Sequence, residues 1–129
     1  MCLEDAARLT RAYLNGNPIS DISALSGLTS LTELGLSGNS ISDISALSGL
    51  TRLTRAHLRG NPISDISALS GLTRLTYLNL AENSISDISA LSGLTSLIIV
   101  KPTNKFTFYE IHVSVIAYEL FIRFTQARA

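Results

Sequence analysis

The eleven letters "ISDISALSGLT" stand at residues 19–29 and return unchanged at 41–51, 63–73 and 85–95. Shifting the chain on itself by 22 residues extends the match to "LTRAYLNGNPISDISALSGLTS" from Leu9, "LTELGLSGNSISDISALSGLTR" from Leu31, "LTRAHLRGNPISDISALSGLTR" from Leu53 and "LTYLNLAENSISDISALSGLTS" from Leu75. A further copy opens at Leu97 and then fails. Self-similarity at such a period marks an array of stacked units, because no unit can bury its apolar face alone.

One copy can be read residue by residue. In "LTELGLSGN", Leu31, Leu34 and Leu36 face one way while Glu33 and Gly35 face the other, which predicts a short strand near 33–36. Stacked copies give a parallel sheet. Beyond Asn39 the apolar residues fall at Ile41, Ile44, Leu47 and Leu50. A spacing of three is the period of a 3₁₀ turn. Ser42 or Asp43 is placed to cap that turn, and Gly49 follows it where a positive φ is expected. Each copy is therefore one coil, with its leucines and isoleucines directed inward.

The patterns L-x-x-(L/A)-x-L-x-x-N-x-I and I-x-D-I-x-x-L-x-x-L resemble the leucine-rich repeat, in the 22-residue type of the bacterial internalins and of a eukaryotic regulator of a Ser/Thr phosphatase. The resemblance covers residues 9 to about 100. It implies an α/β leucine-rich-repeat solenoid: a right-handed coil with a parallel β-sheet on the concave face and short 3₁₀ or helical turns on the convex face. It further implies a binding module rather than an enzyme. The ends depart from the family, whose arrays open with a longer helical cap and continue into an immunoglobulin-like module. The domain reading is a short cap at 1–8, an array of four full repeats and a partial fifth at 9–100, and a capping or dimerisation helix at 101–129.

Two polar columns accompany the core. Asn17, Asn39, Asn61 and Asn83 stand where each strand leaves the sheet, and are expected to form a ladder of side-chain to backbone hydrogen bonds. Asp21, Asp43, Asp65 and Asp87 form the other column. Ca²⁺ usually takes about six or more oxygens from a dedicated loop, so capping is the preferred role and no metal is expected.

The letters that vary lie on the open face of the strand. The third position carries Arg11, Glu33, Arg55 and Tyr77, the fifth Tyr13, Gly35, His57 and Asn79, and the seventh Asn15, Ser37, Arg59 and Ala81. A constant frame with a varied face suits recognition, although duplicated copies also drift wherever packing allows. The candidate partner-binding residues are Arg11, Tyr13, Glu33, Arg55, His57, Arg59, Tyr77 and Asn79. Ala12 and Ala56 alternate with Leu34 and Leu78, and Pro18 and Pro62 with Ser40 and Ser84, so the duplicated unit is 44 residues long.

Catalytic chemistry finds little support. No nucleophile elbow, phosphate loop or HExxH is present, and Cys2 is the only cysteine, which excludes an internal disulfide and a cysteine metal site. His57, flanked by Arg55 and Arg59, reads as a contact residue rather than a base. No cofactor is expected. Ten basic residues balance ten acidic ones, so any bias must come from their placement. Arg11, Arg52, Arg55, Arg59 and Arg74 fall on or beside the face against Glu33 and Glu82, with the repeat aspartates behind. The expected partner is a protein or peptide, acidic in character. Nucleic acid is disfavoured by the small patch and the paucity of aromatic residues. "MCLEDAARLT" lacks the marks of a signal peptide, and "IHVSVIAYELFIRF" is too short and too interrupted for a membrane span. The expected location is cytoplasmic as encoded, or extracellular if the sequence is a trimmed part of an exported protein.

The tail follows its own pattern. Pro102 replaces the second inward leucine and ends the array. Thr107 and Glu110 form a capping box, with Phe106 and Ile111 as a staple, ahead of a glycine- and proline-free run that predicts a helix. The alternation of "YEIHVSV" also fits a strand, but no turn signal divides it. On a helix, Ile111, Val115, Tyr118 and Ile122 form one stripe, and Val113, Ile116, Leu120 and Phe124 another. The second stripe is expected to join two copies as a homodimer, with a further domain downstream as the alternative; a chain that mainly self-associates and has no dedicated ligand is the competing reading of function.

Overall fold

The computed structural model of the chain describes residues 7–97 and the backbone of 99–101. Strands β1 (Arg11–Tyr13), β2 (Glu33–Gly35), β3 (Arg55–His57), β4 (Tyr77–Asn79) and β5 (Ile99–Lys101) form a five-stranded parallel sheet in chain order. Between successive strands lie the 3₁₀ turns η1 (Ser23–Gly27), η2 (Ser45–Leu47), η3 (Ser67–Leu69) and η4 (Ser89–Leu91). The register advances by one repeat per strand, Arg11 beside Glu33, Arg55, Tyr77 and then Ile99. The result is a solenoid with the sheet on one side and the 3₁₀ turns on the other.

The leucine and isoleucine columns are the core. In the second coil Leu31, Leu34, Leu36, Ile41, Ile44, Leu47 and Leu50 are all buried, and the third coil repeats this with Leu53, Ala56, Leu58, Ile63, Ile66, Leu69 and Leu72. The first coil has a neighbour on one side only among the described residues, and its Leu9, Ala12, Leu14 and Ile19 are partly buried. Ala56 lies in register between Leu34 and Leu78, and all of them are fully buried. The smaller side chain leaves no gap that water reaches.

The asparagine ladder forms as expected. Asn61 Nδ2 donates to the carbonyls of Leu36 and Leu58 at 2.9 and 3.1 Å, while its Oδ1 accepts the Ile41 N–H at 3.1 Å. Asn39 and Asn83 make the same bonds one coil away. One amide thus ties the backbone of its own coil to that of the coil before it. Asn17 is exposed, since the ladder starts there. A second ladder went unread in the sequence: Thr32, Thr54 and Thr76 each donate from the hydroxyl to the carbonyl of the threonine one coil earlier, at 3.0–3.1 Å.

The aspartates cap the 3₁₀ turns. Oδ1 of Asp21, Asp43, Asp65 and Asp87 accepts the N–H of the serine two residues on, at 2.9 Å in every coil. The N-cap position itself falls on isoleucine, as at Ile44, so Asp43 acts from one residue before it. The expectation of a positive φ at Gly49 is not met. Positive φ falls instead at Gly16, Gly38, Gly60 and Glu82, where the chain leaves the strand. The left-handed residue is needed at that corner; Gly49 follows a turn that already closes through the Leu50 N–H to the Leu47 carbonyl at 3.0 Å.

β5 is described over Ile99–Lys101, and Pro102, next in the sequence, lies outside the described residues. The capping box, the C-terminal helix and the stripe of Val113, Ile116, Leu120 and Phe124 lie outside the described residues, as do residues 1–6 of the N-terminal cap. Among the described residues no helix is long and apolar enough to cross a membrane.

Candidate functional site

The alternation of each strand sends Ala12, Leu34, Ala56 and Leu78 into the core and their neighbours to the open face. Arg11, Glu33, Arg55 and Tyr77 occupy one row across the strands, and Tyr13, Gly35, His57 and Asn79 the next. All the candidate contact residues within the strands therefore share a surface. They do not all touch.

Glu33 organises the centre. Its Oε2 accepts the Tyr13 hydroxyl at 2.7 Å, and its Oε1 lies 3.3 Å from His57 Nε2 and 3.4 Å from Arg55 Nε. The Tyr13 hydrogen bond, helped by His57 and Arg55, holds the Glu33 carboxyl below the ordinary value, while the same hydrogen bond pushes the Tyr13 hydroxyl up. Arg55 also lies over the Tyr77 ring, 4.6 Å from its centroid, and His57 packs at 4.9 Å against the same ring. The guanidinium is thus held on two sides, by charge and by an aromatic face.

The remaining candidates stand apart from this cluster. Arg59 Nη2 donates to Glu82 at 2.9 Å, a pair exposed on both sides that lowers the Glu82 pKa. Arg11 is exposed at the edge of the row. Asn79 Oδ1 accepts the Ala81 N–H at 3.1 Å, so its role is partly to fold its own corner. Tyr13, at 56% exposure, is the largest apolar surface offered by the described residues.

Asn15, placed on this face by the sequence but outside the contact candidates, and two residues the sequence reading did not name, Ile99 and Lys101, complete it. Asn15 Oδ1 accepts the Ser37 N–H at 2.8 Å, and its amide covers Gly35 so closely that a Cβ there would meet Nδ2 at 2.8 Å. The absent side chain of Gly35 is the space Asn15 fills. Ile99 and Lys101 continue the two rows by register, beside Tyr77 and Asn79. Extending the 22-residue shift into the failing copy would have placed both.

The hollows on the opposite side run between coils. The one between the second and third coils is about 540 Å³ and is lined by Ser42, Asp43, Ser45, Asp65 and Ser67 among others. It recurs between coils with the same residue types, and its carboxylates already cap backbone N–H groups, so it is a by-product of stacking. No group of His, Cys, Asp and Glu among the described residues could hold a metal ion.

A coil of this period, with an asparagine ladder and a parallel sheet closed by 3₁₀ turns, defines a repeat solenoid of one class. The family of leucine-rich repeats in two copies matches residues 7–49 and again 51–93, so the chain belongs to the leucine-rich-repeat family. Its repeats are of the internalin type. An internalin of Listeria monocytogenes superposes with a TM-score of 0.83 at 36% identity, over 91% of this chain and 35% of that one. Internalin C2 of the same organism gives 0.70 at 41% identity, over 71% and 40% of the two chains. A Listeria monocytogenes protein whose functional domain includes a cysteine ladder gives 0.64 at 28% identity, over 74% and 25%. The chain spans well under half the length of each of these structures. Among curated proteins no sequence matches.

Proposed function

We propose that the domain is a protein-binding module that engages an acidic partner through the open sheet face, without chemistry of its own. Leucine-rich-repeat domains are typical protein–protein interaction modules. The observation that carries the reading is the contrast between a frame copied letter for letter and a face whose varied residues are locked together around Glu33. Pre-ordered side chains lose less freedom when a partner arrives. Arginine and tyrosine are also the types that most often anchor interfaces. On and beside the face Arg11, Arg55 and Arg59 outnumber Glu33 and Glu82, while the aspartate column lies behind.

The test is the variant Arg55→Ser, His57→Ser, Arg59→Ser. Its melting temperature should stay within a few degrees of the parent, because Arg55 and Arg59 are themselves about half exposed and pairs made by exposed side chains contribute little. Capture of a partner by the parent should be lost in the variant and should weaken with salt. Capture that persists undiminished removes this row from the binding site.

A further inference from the structure

Of the face residues, the arginine at the third position recurs two strands on, at the interval of the duplicated unit. Arg11 and Arg55 occupy the same row on β1 and β3, with Glu33 between them on β2. At about 4.8 Å per strand their attachment points lie about 9.6 Å apart. We propose that the occupant of this face is an extended acidic peptide in the polyproline II conformation, crossing the strands with a carboxylate at every third residue.

The spacing selects that conformation. A polyproline II chain advances about 3.1 Å per residue with three residues per turn, so residues i and i+3 share a face about 9.3 Å apart. Carboxylates at that interval reach Arg11 and Arg55 and leave nothing acidic opposite Glu33. A β-strand also advances about 10 Å in three residues but turns the fourth side chain to the opposite face. A helix brings residues i and i+7 to about 10.5 Å, but helices dock by an apolar seam, and Tyr13 is the one large apolar side chain that the described residues expose. Polyproline II peptides dock instead on aromatic rings. Tyr13 supplies one on β1, its hydroxyl tied to Glu33 on β2. Arg55 is ready for a carboxylate because Glu33 engages its Nε and Tyr77 lies against its plane, which orders the fork before binding.

This rests on the acidic-partner reading, and the experiment separates the two. Fluorescein-labelled peptides are titrated against the intact chain at low salt: a Glu-Pro-Pro repeat, its Gln-Pro-Pro counterpart, a peptide of the same composition as the first with its glutamates in one run, and an alanine-rich helix with glutamates at i and i+7. The Glu-Pro-Pro repeat should bind at least about fivefold more tightly than each of the others, and Arg11→Ser should erase its lead over the run. Equal affinity for repeat and run, or preference for the run, overturns the spaced peptide and leaves an acidic partner standing. Preference for the helix overturns the extended conformation. Equal affinity for the glutamine peptide, or binding by none, overturns both readings.

Discussion

At the scale of single residues, the informative positions are those where one coil departs from the others. Glycine takes the left-handed corner after the strand at Gly16, Gly38 and Gly60, with φ of 70–72°, but the fourth coil has Glu82 there at 58°. A side chain in that region costs about 1–2 kcal/mol. Its ion pair with Arg59, more than half exposed on both sides, offsets only a small part of that. Glu82→Gly and Glu82→Ala both remove the ion pair, so their difference isolates the backbone. Urea denaturation should find the glycine variant more stable than the alanine variant by about 1 kcal/mol. Equal stabilities would mean that this corner relaxes away from the left-handed region. The sequence misplaced this requirement, assigning positive φ to Gly49, because glycine marks both corners of the coil and only the hydrogen bonding distinguishes them. The asparagine column was legible for the opposite reason. An invariant amide at a bend inside an apolar repeat has one economical place for its donors and acceptor, and Asn61 uses all of them.

At the scale of the element, each 3₁₀ turn is started by an aspartate whose carboxylate accepts a serine N–H. That hydrogen bond is the largest influence on each carboxyl and lowers its pKa from the ordinary 3.8; at Asp43 the repulsion from Asp21 and Asp65 acts the other way and is smaller. A carboxyl with a folded pKa below its unfolded one adds stability that is complete above the unfolded pKa. That stability is lost as pH falls through the folded value. With Glu33 and Glu82 also lowered, thermal stability should hold at neutral pH and fall progressively below about pH 5. Asparagine retains the accepting oxygen without a titrating proton. Replacing Asp21, Asp43, Asp65 and Asp87 together by asparagine should keep the circular dichroism spectrum at pH 7 and make the acid-side decline shallower. An unchanged decline would show that the caps do not set acid stability. Strand and turn positions were legible because period two and period three are written side by side within one repeat. The clasp of Tyr13, His57 and Arg55 on Glu33 was not, since it joins residues 20–24 apart whose contact depends on the register between coils.

At the scale of the whole molecule, a solenoid draws its stability from interfaces between neighbouring coils, so a residue's worth depends on how many neighbours its coil has. Leu36, Leu58 and Leu80 are fully buried in successive coils, whereas Leu14, at the same position of the first coil, is only partly buried. Leu58→Ala removes side-chain atoms enclosed by coils on both sides and should cost about 2–5 kcal/mol, the range for a rigid core that cannot collapse onto the void. Leu14→Ala removes the same atoms from a site already open to solvent, where less apolar area is lost and no closed cavity forms. It should cost at least about 1 kcal/mol less. Urea midpoints of the two variants, read by circular dichroism, make the comparison directly. A Leu14→Ala cost equal to that of Leu58→Ala would mean that the first coil is covered in solution as completely as the third.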